Sequence, residues 1–330
     1  MSAARTRAAV IYNRLTGQKI PIDAQIIKDM EALIAEGNEM AAARLATDQP
    51  SFYAHTLRYF GNRLSNIDGS NRAPLTDTAA TVIGFAKDNL DARELLTTDT
   101  LYRFQNIPNL RANVVNDIIS SNNHYDDVDT ALAANPNLDI RANLVASPQQ
   151  IATDANAAVD HPDAAGILTS RGFLSDCADA GTNRRCYQKV VTRLTCHTLE
   201  QVANSSLPDD HVGRDVSRAP GGDPGAYQVT CKSCHSNMDG QRGAFAFTEF
   251  DAGRVKHGQV NGGNLFDNNT RVAVKMTKLG DGNFAQGYLA TTDDWVNYAV
   301  AGEFANLYGW RDASGNRITQ PVSSRGINAY

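Results

Sequence analysis

The chain of 330 residues contains no run of about 18 apolar residues, the length that a membrane-spanning helix needs. Its start, Met1-Ser2-Ala3-Ala4-Arg5, also lacks the apolar core of a secretory signal. We find no phosphate-binding loop, dinucleotide-binding fingerprint or Ser-His-Asp arrangement. A net charge of −5, with 20% charged residues, argues against a nucleic-acid partner. These absences argue against a membrane-spanning protein and against the common nucleotide-dependent and triad enzymes.

Cysteine is scarce as well, with five in the whole chain. Cys231 and Cys234 are separated by two residues, and His235 follows at once. This is the attachment motif of a c-type haem, in which two thiols add across the porphyrin vinyl groups and the histidine becomes the proximal iron ligand. A zinc site would need a second pair of ligands, but no other C-x-x-C and no H-x-x-x-H occurs. We therefore predict one covalent haem c per chain, with structural zinc or a disulfide as alternatives.

The remaining cysteines are Cys177, Cys186 and Cys196. A disulfide between Cys177 and Cys186 would close a short polar loop, which an oxidising compartment permits. Cys186 and Cys196 are predicted to lie about 15 Å apart along one helix, too far for a bridge. A pair of Cys177 with Cys196, or three buried thiols, stays open.

Helical periodicity dominates the first part of the chain. Apolar residues recur at helical spacing over residues 22–34, and Gly37 stands where that helix would end. Further helical segments are predicted at 38–47, from 51 onward, and at 77–88, 92–97, 110–120, 127–134 and 186–199, while 151–165 is predicted as a surface helix or linker. We predict a mainly α fold, with a cofactor-free helical domain over residues 1–160. A cytochrome c-like haem-binding domain with long loops follows over 161–330.

The residues after His235 extend the motif: Met238-Asp239 follows it, then the aromatic and acidic run 243–254 that ends in Arg254. This resembles the C-x-x-C-H-x-x-M-D-x-x-G-F-A-x-E-x-F-D-x-x-G-R pattern of the planctomycete-type cytochrome-like secreted proteins. Gly243-Ala244-Phe245 departs from that pattern by one residue. The resemblance covers most of residues 10–310 and implies a c-type haem module on a helical scaffold, without a known reaction.

Several side chains near the motif are candidates for contacting the haem. We expect Phe245 and Phe247 to supply apolar wall, which would exclude water from the iron. We expect Asp239, Asp251 and Arg254 to fix the loop or to pair with the haem propionates, rather than to do acid–base work. Ordinary core packing is an alternative for the two rings and is compatible with this role.

The identity of the distal iron ligand is not fixed by the motif. Met276 follows His235 by 41 residues, in the order seen in small His/Met cytochromes, and is the preferred metal ligand opposite His235. Met238 is too close to His235 to reach the other face of the ring. His257 is the second candidate, His211 and His197 are weaker ones, and an open site is the third possibility.

These observations predict an exported mono-haem cytochrome that transfers single electrons, as a carrier or a subunit of a larger redox assembly. Its partners would be redox proteins and other subunits, and its location periplasmic or extracellular. Because haem attachment takes place outside the cytoplasm, we expect an export signal outside this numbering. The alternatives are a peroxidase-like haem enzyme with an open distal face and a structural subunit of an extracellular complex.

Overall fold

The structure is a computed structural model that describes residues 1–65, 73–178, 183–213, 216–258, 260, 292–301, 310–312 and 314–330. These residues are mainly helical, with short two-stranded antiparallel sheets, which confirms the predicted mainly α class. The chain divides into two compact units. Unit 1 comprises Met1–Leu95 and Thr100–Pro148, and unit 2 comprises Leu96–Asp99 and Gln149–Tyr330.

Unit 1 begins with three helices packed on each other: α1 (Ala3–Thr16), α2 (Gln25–Ala35) and α3 (Glu39–Thr47). The predicted helix over residues 22–34 is thus α2, and the one over 38–47 is α3. Asn38 caps α3, because its side-chain oxygen accepts a hydrogen bond from the Ala41 N–H at 3.1 Å. Ile27 and Met30 are fully buried in the core that the three helices share.

The rest of unit 1 surrounds a buried helix, α5 (Asp77–Lys87). A wide π-helical turn, Phe52–Leu57, leads into α4 (Arg58–Ser65), and α6 (Asn123–Ala134) follows later in the chain. Strand β1 (Thr100–Phe104) pairs with β2 (Leu144–Pro148). Gly84 lets β1 approach α5, since a Cβ there would lie 2.2 Å from the ring of Tyr102. Tyr102 therefore packs directly on the helix backbone.

Unit 2 contains α7 (Arg171–Cys177), α8 (Arg184–Leu194), the single turn α9 (Pro224–Ala226) and α10 (Lys232–Gln241). Its hairpins pair β3 (Gln150–Ala152) with β4 (Ala158–Asp160), and β5 (Thr248–Asp251) with β6 (Arg254–His257). Strand β7 (Asp294–Asn297) pairs with β8 (Val322–Arg325). Phe173, Phe245 and Trp295 belong to an apolar cluster of its buried residues.

The prediction of a surface helix or linker over residues 151–165 is wrong. This segment holds the β3–β4 hairpin, with Ile151 opposite Val159. Ile151 is buried in the core of unit 2, and Asn156 adopts a left-handed backbone (φ 57°) that closes the turn. The Ala/Asp-rich composition suggested a helix, but burial of Ile151 and the Asn156 turn decide for a hairpin.

In the part of the chain that the structure describes, no helix is both long and apolar enough to cross a bilayer.

Candidate functional site

The C-x-x-C-H motif lies at the start of α10. A π-helical turn, Tyr227–Cys231, runs directly into this helix, and Cys231 has helical backbone angles (φ −82°, ψ −45°). Residues at positions i, i+3 and i+4 of a helix lie on one face. Cys231, Cys234 and His235 occupy these positions, and all three are half-buried. The structure therefore brings the three residues of the motif together on one partly open face.

The opposite face of α10 packs on β7. Gly240 follows Cys231 by nine residues, or two and a half helical turns. A Cβ at Gly240 would lie 2.8 Å from the carbonyl oxygen of Val296 and 3.1 Å from its Cγ1. A glycine is needed there for the helix to lie this close to the strand. The motif face is consequently turned away from β7.

A buried polar network holds α10 in place. Its sequence has few strong helix formers, so tertiary contacts must stabilise it. Asn237 Nδ2 donates to the Tyr187 hydroxyl at 2.7 Å, and Gln241 Nε2 donates to Asn237 Oδ1 at 3.0 Å. The Tyr330 hydroxyl in turn donates to Gln241 Oε1 at 2.9 Å. No helix was predicted over this segment, although Asn237 and Gln241 are spaced one helical turn apart.

Asp239 lies one turn after His235, and its carboxylate contacts the Nδ1 side of the His235 ring. Its Oδ1 lies 3.4 Å from His235 Nδ1, and its side chain is fully buried. Burial acts to raise the pKa of Asp239, but hydrogen bonds from Arg184 and His235 and the charge of Arg242 hold that pKa well below its ordinary value. The Asp239 carboxylate is therefore negatively charged at neutral pH.

Arg184 is the main partner of this carboxylate. Its Nε and Nη2 donate to the two carboxylate oxygens of Asp239 at 2.5 and 2.8 Å, a bidentate pair. Gly213 N–H donates to Oδ2 at 2.8 Å. Asp239 was predicted to fix the loop or to pair with the haem propionates. Its partner Arg184 was not predicted, because a residue 55 positions away leaves no local pattern.

The disulfide predicted between Cys177 and Cys186 is present and fixes the helix that carries Arg184. It joins the last residue of α7 to the first turn of α8, with Cα atoms 4.7 Å apart. Cys196, just after α8, is a free and exposed cysteine. The alternatives of a Cys177–Cys196 pair and of three free thiols are thereby removed.

The motif residues fit a c-type haem. The sulfurs of Cys231 and Cys234 are both unpaired thiols, and burial raises the pKa of the Cys234 thiol. His235 Nδ1 faces Asp239, while Nε2 has no hydrogen-bond partner among the residues that the structure describes. A metal-ligating histidine normally donates a hydrogen bond from its other ring nitrogen to a carboxylate or carbonyl oxygen in this way. The donor set thus consists of two free thiols and one imidazole nitrogen on a single helix face.

Of the other predicted cofactor contacts, Phe245 is part of the core. Its ring is fully buried, 5.6 Å from the ring of Tyr330 between centroids, and its carbonyl oxygen accepts from Asn183 Nδ2 at 2.6 Å. Phe247 is half-buried, and its ring centroid lies 6.2 Å from that of His257. Arg254 Nη2 lies 3.7 Å from Asp154 Oδ1. The structure therefore places Phe247 and Arg254 on or beside the β5–β6 hairpin.

His257 lies in a buried histidine pair. Its ring centroid is 5.5 Å from that of His161, and both rings are nearly inaccessible to solvent. Burial lowers the pKa of His161 to about 3, with the charge of His257 adding to the effect. Burial also lowers the pKa of His257 to about 4, against an opposing effect of Asp293. Both rings are therefore neutral at neutral pH.

The other distal candidates are placed as follows. Met276, the preferred ligand, lies outside the described residues. His211 Nδ1 lies 3.0 Å from Asp210 Oδ1 and 3.1 Å from the Tyr298 hydroxyl. His197 Nδ1 lies 2.6 Å from the carbonyl oxygen of Thr195. Met238 packs into an apolar cluster with Tyr187.

Within the described ranges, no group of three or more His, Cys, Asp and Glu side chains is arranged to hold a metal ion. Comparison of the chain with protein-family models, with curated proteins and with solved structures finds no match. The resemblance to the planctomycete-type cytochrome-like proteins stays a prediction.

Proposed function

We propose that this protein is an exported c-type cytochrome that carries one covalent haem c and transfers single electrons. It would act as a carrier or as a subunit of a larger redox assembly. One observation carries this proposal: Cys231, Cys234 and His235 share one open face of α10, with both thiols free and Nε2 of His235 without a partner among the described residues.

The chain's own residues would hold the haem at three points. Cys231 and Cys234 would provide the two thioether bonds, and His235 Nε2 would provide the proximal ligand. Met276 is the proposed ligand on the other face, with His257 or an open site as the alternatives. A bound haem supplies one-electron chemistry at its iron, and the protein sets the potential through the axial ligands and the dryness of their surroundings.

The proposed location is the periplasm or the cell exterior. Haem attachment to a C-x-x-C-H motif takes place outside the cytoplasm, and the Cys177–Cys186 disulfide is typical of oxidising compartments. The small acidic surplus suits docking to a basic patch on a redox partner protein. Unit 1 has its own cores and contains no part of the motif, and we propose that it serves contacts with other subunits.

Mass spectrometry tests the proposal directly. The chain is produced with an export signal in a host that attaches c-type haem, then purified and denatured. We expect the mass of the polypeptide plus one haem. The double variant Cys231→Ala/Cys234→Ala should lose the haem completely.

Cys196→Ala is the matched control, because Cys196 is also a free cysteine of unit 2 but lies outside the motif. This variant should keep the haem. An unmodified wild-type mass, or a tightly held zinc ion in place of haem, would refute the proposed function.

A further inference from the structure

The strongest unexplained feature near the motif is a buried charge behind the proposed iron ligand. Asp239 lies on the same helix as His235, one turn on, and its fully buried side chain faces Nδ1, the ring nitrogen that would not bind the iron. A backbone carbonyl or a water molecule would satisfy an Nδ1–H group equally well without a charge. The chain instead places a carboxylate there.

The orientation of this carboxylate is fixed independently of His235. Arg184 donates to both of its oxygens, at 2.5 and 2.8 Å, and the Gly213 N–H adds a third hydrogen bond at 2.8 Å. Arg184 is itself only 16% exposed and stands at the start of α8, beside the Cys177–Cys186 disulfide. The carboxylate is thus held by Arg184 and Gly213, and the remaining interaction of Oδ1 is with His235 at 3.4 Å.

A carboxylate that accepts the Nδ1–H of an iron-bound imidazole makes the other nitrogen a stronger donor to the metal. A stronger donor stabilises ferric iron more than ferrous iron, because the ferric ion carries the higher charge. Hydrogen bonding behind the ligand is therefore one of the means by which a protein sets a haem potential. The opposing charge of Arg184 moderates the effect, since it competes for the electron density of the same oxygens.

We propose that Asp239 is a positioning residue that orients His235 and lowers the reduction potential of the haem, and that Arg184 sets the strength of this effect. This inference rests on the proposed function. It adds to that function a specific means of tuning, which uses Arg184 of α8 and His235 and Asp239 of α10.

The test compares Asp239→Asn with Asp176→Asn in the haem-loaded protein. Asp176 is an equally buried carboxylate of unit 2, paired with Lys189 Nζ at 3.0 Å and Arg193 Nη2 at 2.8 Å. Each variant keeps the side-chain shape and removes one buried negative charge that faces basic groups. Only Asp239→Asn alters the partner of His235.

We expect Asp239→Asn to shift the reduction equilibrium at least tenfold towards the ferrous form, about 59 mV for a one-electron couple. Asp176→Asn should shift it much less. The second readout is the NMR signal of the His235 Nδ1–H in the diamagnetic ferrous low-spin form, native or bound to carbon monoxide. This proton should move upfield in Asp239→Asn, because its hydrogen bond to a charged acceptor is lost, and stay in place in Asp176→Asn.

Arg184→Gln, measured at pH 8, keeps the test decisive if Asp239→Asn does not accumulate with haem. Removing the competing cation should lower the potential and move the Nδ1–H signal downfield, opposite to the effects of Asp239→Asn. Arg193→Gln is its control. A purely structural role would not move the Nδ1–H signal in opposite directions.

Unchanged potential and Nδ1–H signal in Asp239→Asn, or equal shifts in Asp176→Asn, would overturn the inference while leaving the cytochrome intact. Wild-type protein without haem would instead refute the proposed function. The two failures are therefore distinguishable.

Discussion

Acidification should destabilise unit 2 through His161. The ring is 7% exposed, its Nδ1 accepts from the Asp163 N–H at 3.0 Å, and its Nε2 is buried without a hydrogen bond among the described residues. Because Nδ1 accepts, the single proton of the neutral ring is on Nε2. A second proton would place a charge inside the core beside His257, which explains why the pKa of His161 is lowered to about 3.

The sign of the effect follows from the two pKa values. The unfolded chain binds a proton on His161 below its ordinary pKa of 6.5, whereas the folded protein does so only near 3. Stability is therefore full above pH 6.5 and falls as the pH is lowered towards 3. Between pH 7.5 and 5.0 the loss in unfolding free energy from this group should be about 2 kcal/mol.

Urea unfolding, monitored by tryptophan fluorescence, measures this loss of unfolding free energy in unit 2. Both tryptophans of the protein, Trp295 and Trp310, belong to unit 2, and Trp295 is buried there. His161→Asn is the comparison variant, since its side chain can still accept from the Asp163 N–H but does not titrate. Equal losses in wild type and His161→Asn between pH 7.5 and 5.0 would refute the reasoning.

Two further predictions concern the disulfide and the distal ligand. Replacing Cys177 and Cys186 by serine should lower the unfolding free energy of unit 2 by about 2–3 kcal/mol, since the bridge closes a short loop in the unfolded chain; alkylation of both cysteines in native, unreduced protein would contradict the bridge itself. If Met276 binds the iron, the oxidised protein should show the weak far-red band of thioether ligation, and Met276→Ala should abolish it. Ready carbon monoxide binding by wild type without that band would instead favour the open, peroxidase-like alternative.

The sequence predicted those parts of the fold in which local periodicity matches burial. Helices α2, α3 and α5 were predicted with nearly correct bounds, because apolar residues at helical spacing and caps such as Asn38 act within a few residues. The β7–β8 pair joins residues about 30 positions apart, and this separation leaves no local signal. Pairing between strands that are distant in sequence could therefore not be predicted from this single sequence.

The same distinction applies to the site. The spacing of Cys231, Cys234 and His235 predicts one chemical role for all three, and that role stays a prediction. The contacts behind them were not predictable, because Arg184 is 55 residues from Asp239 in sequence and Tyr330 is 89 residues from Gln241. Phe245 was predicted to contact the haem, and its ring packs against Tyr330. That contact is also distant in sequence and was not predictable.

The Cys177–Cys186 disulfide has a consequence for biogenesis. Attachment of the proposed haem would require the sulfurs of Cys231 and Cys234 as thiols, whereas Cys177 and Cys186, beside Arg184, form a disulfide. An exported chain would thus need opposite redox states in two cysteine pairs at the same time, and any reductant acting on the first pair must spare the second. The two pairs differ in their accessibility to a reductant. Cys177 and Cys186 are 2% and 0% exposed, whereas the motif cysteines are half-buried on an open helix face. Folding of unit 2 before haem attachment would therefore protect the disulfide while the motif stays open to reduction.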